Sequence, residues 1–145
     1  MRQCRIYLPL DSAGVRVLQE SREVGSRQAY AVTQWLERAY PAEDEEGLEY
    51  LALGEAKQAA LAQGRTHRLV IAAADVESEL VDARQPPPGA SLAQVALRGV
   101  VPLPRVVSFH LEEAPVGSSD DPDLLWYDVT EIDEVLRQID TPKHA

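Results

Sequence analysis

Three polar residues late in the chain carry the side-chain types that nucleophilic catalysis uses. Ser108, His110 and Glu112 alternate with Val107, Phe109 and Leu111. A strand here puts hydroxyl, imidazole and carboxylate on one face and the apolar three on the other. Neighbours on one strand face stand ~7 Å apart at Cα, so Ser108 and His110 need help to meet. No sharp Gly-x-Ser-x-Gly turn presents the serine. The plainer reading is an ordinary strand face, open to solvent or covered by a helix. Asp75 closes the most apolar stretch, Leu69 to Ala74. A carboxylate beyond the carboxyl end of a buried strand can bind a hydroxyl or a metal. The competing role for Asp75 is a cap on the turn that begins at Val76, Glu77, Ser78 and Glu79. Asp75, His110 and Glu112 are the candidate ligand-binding residues, and none is assigned a catalytic role.

Trp126 and Tyr127 are adjacent, so a strand points them to opposite faces. One can belong to the core; the other, with Leu124 or Leu125, can anchor a partner. Aromatic residues are only 6% of the chain, which makes the pair more noticeable as a candidate partner-binding site. The acidic run Glu43 to Glu46 is read as a solvated helix start, where carboxylates meet the positive end of the helix dipole. Asp120, Asp121 and Asp123 lack calcium-loop spacing. Pro86-Pro87-Pro88 reads as a stiff surface loop rather than a polyproline ligand. One cysteine, Cys4, allows neither an internal disulfide nor a thiolate zinc site, and it reads as a small core residue. His67, His110 and His144 show no metal spacing, and no Gly-rich phosphate loop exists. No metal and no cofactor is expected.

The elements that must position these groups follow from periodicity and caps. Cys4, Ile6 and Leu8 alternate with Arg5 and Tyr7 to predict a strand over 2–10. Asp11 and Ser12 then offer a cap for a short helix ending near Arg22. Ala29 to Thr33 is β-prone, and Thr33 can cap a helix that Pro41 ends. The longest helix is predicted over 43–63, its face made of Leu48, Leu51, Ala52, Ala56, Ala59 and Ala60, with Gly64 as C-cap. Gly47 and Gly54 are costly in a helix, and close packing on a sheet would account for them. The run from His67 to Val76 predicts a strand buried on both faces. Strands follow over 94–101, 105–112 and 124–129. Thr130 is expected to cap a last helix through Ile132, Val135, Leu136 and Ile139. The expected fold is α+β: one domain over 1–145, with the last few residues disordered. Its mixed sheet of about five strands packs against three to four helices, with a parallel crossover in the front half and an antiparallel meander behind.

Charge narrows the partners. Lys plus Arg is 14 against 24 Asp plus Glu, a net −10 over 145 residues. Such a surface repels phosphate backbones and anionic lipid, so neither nucleic acid nor membrane is expected. No apolar run approaches the ~20 residues that span a bilayer. Charge at Arg2 and Arg5, with Pro9 beyond, does not fit a secretory leader. The expected compartment is the cytoplasm.

Arg5-Ile6-Tyr7-Leu8-Pro9, Ala29-Tyr30-Ala31-Val32-Thr33 and Leu48-Glu49-Tyr50-Leu51-Ala52 occur in that order, followed by Val70 to Val76 and Leu124-Leu125-Trp126-Tyr127. Together they resemble a family of short proteins of unknown function from high-GC Gram-positive bacteria. The resemblance runs over nearly the whole chain and implies no activity, cofactor or site residue. The segment between Pro115 and Asp123 is shorter here than in those relatives.

Two functions follow. The first is a non-enzymatic protein-interaction module, which binds an unidentified protein partner or forms a homodimer through an exposed sheet face or edge. The alternative is a small-molecule-binding protein or modest hydrolase around Asp75 and His110.

Overall fold

The computed structural model describes residues 2–25, 28–63, 68–113 and 123–140. The period-2 start becomes β1 (Gln3–Leu10). Asp11 accepts the Gly14 amide at 2.7 Å and opens α1 (Ser12–Ser21), which Arg22 ends in a left-handed conformation, φ 62°. Two short strands follow, β2 (Glu23–Val24) and β3 (Ala29–Ala31). The Thr33 hydroxyl accepts the Leu36 amide at 3.1 Å and caps α2 (Gln34–Ala39). Asp44 caps α3 (Glu45–Ala62) through the Gly47 amide. Then come β4 (Val70–Glu77), β5 (Val81–Asp82), β6 (Gln94–Leu97), β7 (Val101–Pro102), β8 (Val106–Glu112), β9 (Leu124–Asp128) and α4 (Ile132–Asp140).

Among the described residues, seven strands form one sheet in the order β5-β6-β3-β1-β4-β8-β9, and β2 pairs β7 separately. Its centre is the eight-residue ladder of β1 on β4, from Gln3 opposite Glu77 to Leu10 opposite Val70. Alternation divides the apolar residues into two cores. Ile6, Leu8, Val70, Ala72, Ala74 and Phe109 meet Val15 and Leu18 of α1 and Val135, Leu136 and Ile139 of α4. Tyr7, Tyr30, Ile71 and Ala73 turn the other way, towards Leu36 of α2 and Leu48, Ala52 and Ala56 of α3. Phe109, Ile6, Leu8 and Ile71 are fully buried, each such side chain contributing about 1.5–3 kcal/mol.

The α+β class holds, with several local differences. The parallel crossover from the first strand to the buried one is replaced by direct antiparallel pairing. Burial of β4 on both faces comes from helices on either side of an antiparallel sheet, a pattern a hydrophobic run cannot distinguish from a parallel one. Every neighbouring pair in the sheet is antiparallel. The strand expected over 94–101 is divided: β6 ends at Leu97, with one further bond in the same register from the Arg98 amide to the Leu80 carbonyl at 2.8 Å, and Val101 pairs with Val24 of β2. Asp128, not Thr130, starts the last helical segment. Its carboxylate accepts the Thr130 amide while Glu131 accepts the Asp128 amide, a reciprocal capping box. Close packing does not explain Gly54, since a Cβ there would meet nothing within 4 Å. Gly64, the 114–122 segment and the chain end at 141–145 lie outside the described residues.

Candidate functional site

The sheet face turned to α3 gathers most of the polar chemistry. Arg5 and Asp75 stand directly opposite on β1 and β4. The guanidinium donates from Nε to Oδ1 at 2.5 Å and from Nη2 to Oδ2 at 3.0 Å, a bidentate pair. Asp75 therefore lies inside β4 with both oxygens engaged, neither beyond the strand end nor capping the next turn. Tyr7 lies on the same face, nearly buried. Burial above all, and then the Glu49 carboxylate, push its phenol up to about 12.

Ser108 and His110 do meet: Oγ lies 3.2 Å from Nε2. The imidazole spans the gap that the Cα spacing leaves. Ser108 faces Ala73, and a register shift beside it puts Val106 opposite Ala74. His110 is held below its usual value, first by burial and then by the Arg5 charge. A neutral imidazole beside a hydroxyl is the beginning of a nucleophile–base pair. Ser108, however, is only 3% exposed. Glu112 does not join it. Fully buried, Glu112 accepts the Leu69 amide at Oε1, 3.0 Å away, and donates its own amide to the Leu69 carbonyl at 2.8 Å. That carboxylate extends the β4–β8 ladder by one rung. Burial also raises the Cys4 thiol, with Asp75 and Glu49 adding to the effect, which favours its protonated form. Among the described residues no group of three or more His, Cys, Asp or Glu could hold a metal. The polyproline loop borders an open groove of about 300 Å³ with Asp82, Arg84 and Gln94.

The aromatic pair is divided as alternation requires. Tyr127 lies opposite Phe109 and packs on the α1–α4 core, whereas Trp126 lies opposite His110 and is 60% exposed. The helix α3 sits over β1 and β3, away from this strand. Beside Trp126, Leu125 is 38% exposed.

Among the described residues strand β9 ends the sheet, and its backbone shows what it offers. The Glu113 amide donates to the Asp123 carbonyl at 2.9 Å, with those residues one step beyond Glu112 opposite Leu124. Antiparallel ladders alternate hydrogen-bonded and non-bonded pairs. The outward N–H and C=O groups on β9 are therefore those of Leu124, Trp126 and Asp128. Glu131 takes the Asp128 amide at 3.0 Å. Leu124 and Trp126 present the rest.

The sequence pattern showed the alternation on β9 but not its edge position, which depends on strand order. It also missed Arg5 and Tyr7 as members of the polar group. Their shared parity within β1 was the one available signal.

The profile of a family of unknown function, DUF6912, matches residues 4–116. The chain belongs to that family. In this DUF6912 member the match runs from the second residue of β1 through β8 and stops before β9 and α4. No curated protein and no solved structure matches the chain. Among its described residues, no helix is long and apolar enough to cross a membrane.

Proposed function

We propose that the chain is a protein-interaction module that binds an extended segment of a partner along the outer edge of β9. The observation that carries this reading is Trp126, 60% exposed on a terminal strand whose sequence, Leu-Leu-Trp-Tyr, is apolar. Edge strands of soluble proteins are ordinarily blunted by Lys, Pro or inward charge, and an apolar open edge is a template for pairing. The acidic surface favours a protein partner over nucleic acid or anionic membrane. The reading places the module in the cytoplasm and gives it no cofactor. Its test is affinity capture from native cytosol with the parent chain, Trp126→Ala and Leu125→Lys in parallel. A stoichiometric partner lost from both variants supports the edge; a partner retained by both sinks it.

The Ser108–His110 contact favours a second reading, a small-molecule binder or modest hydrolase around His110 and Asp75. Burial of Ser108 and the engagement of Asp75 by Arg5 weigh against it. Ester turnover abolished by Ser108→Ala in a chain of unchanged stability would revive it.

A further inference from the structure

We infer that the segment accepted by β9 is cationic: an extended stretch with Lys or Arg at each end of a short apolar core. This rests on the edge reading above and names the chemistry of its partner.

The template is short. Leu124 and Trp126 supply outward backbone groups, and the Asp128–Glu131 cap closes the ladder at one end. Carboxylates stand at both ends of that template. Asp123 and Glu113 are exposed at the start, joined through their backbones. Asp128 and Glu131 stand at the finish, and the Thr130 hydroxyl and amide hold Asp128 ionised by lowering its pKa. From Asp123 to Glu131 the chain has no Lys or Arg, nor does β8 beside it. An incoming strand thus meets apolar side chains at its middle and negative charge at either end.

A second copy fits this edge poorly. Pairing β9 with itself about Leu125 or about Trp126 lays one edge that has no Lys or Arg from Asp123 to Glu131 against another of the same kind. Each copy also carries a net −10. Two copies so charged repel, whereas Lys or Arg on the incoming segment complements the carboxylates at the ends of the edge.

Short synthetic peptides of alternating Val and Thr test this, with both ends Lys, both Ser or both Glu. In full-length Trp35→Phe protein, fluorescence reports Trp126 alone, because the chain has two Trp. Calorimetry on the unsubstituted chain repeats the comparison without the variant. The expected result is a blue shift with the Lys peptide, and binding about tenfold tighter than for the Ser peptide at low salt, the gap shrinking as salt is added. The Glu peptide is expected not to bind. Asp123→Asn should narrow the gap between the Lys and Ser peptides. Equal binding of Lys and Ser peptides overturns the cationic preference and leaves the edge reading standing. Binding by none overturns both. A dimer that Leu125→Lys dissociates also overturns it, in favour of a second copy.

Discussion

Arg5 clamps Asp75 across the central ladder through two hydrogen bonds, 2.5 and 3.0 Å long. Both side chains are about one-third exposed, so solvent screens the pair and its net worth is modest. Asp75→Ala leaves the guanidinium without its partner and should cost about 1 kcal/mol. The double replacement Arg5→Leu with Asp75→Leu should cost less than the two single Leu changes added together. Urea denaturation of the four proteins checks this; additive losses would show that the clamp holds nothing.

His110 should make stability depend on pH. Burial, and then the Arg5 charge, hold its folded value below the ordinary histidine value of about 6.5. Between those two values the unfolded chain binds more protons than the folded one, so stability rises with pH there. The contribution is complete above about 6.5 and is lost as pH falls through that window. NMR titration of the ring should give a midpoint under 6.5, and His110→Gln should flatten that part of the stability profile. A midpoint above 6.5 would contradict the assignment.

Glu112 is predicted to matter for folding rather than binding. Glu112→Leu strands the Leu69 amide, which costs about 1–3 kcal/mol when buried; Glu112→Gln keeps an acceptor and should cost less. Faster hydrogen exchange at Leu69 in the Leu variant would accompany the loss. If the Leu variant proves as stable as the parent, the side-chain rung is dispensable.

Gly54 offers a gain. It lies inside α3 with open space where a Cβ would go, so Gly54→Ala should stabilise the chain by about 1 kcal/mol through helix propensity. An unchanged or lower thermal midpoint would mean that something beyond the described structure needs the glycine.

Local signals carried far in this chain because caps and alternation are local physics. Asp11, Thr33 and Asp44 each accept an amide three residues on, and β1 and β4 fall close to where their apolar periods put them. Strand order and direction are set by contacts between distant segments. A run such as Val70 to Ala74 shows that both faces are covered without showing whether its neighbour runs with or against it. The site divided in the same way. Alternation put Ser108 with His110 and separated Trp126 from Tyr127. The partner of Asp75 is seventy positions away, and the Glu112 rung needs Leu69 beside it; neither fact has a short-range signature.

The capping box of Asp128 and Glu131 also sets a tempo. By using the amide that would extend the ladder, it leaves few backbone rungs to an added strand, each worth about 0.5–1.5 kcal/mol net. Differences in affinity among related complexes reside mostly in dissociation. On the edge reading proposed above, a guest on β9 would leave quickly, which suits repeated sampling of candidates better than lasting assembly with one. On the same reading, Glu131→Ala would free the Asp128 amide for one further rung while removing one flanking carboxylate, so the helix cap would also set how long a guest stays.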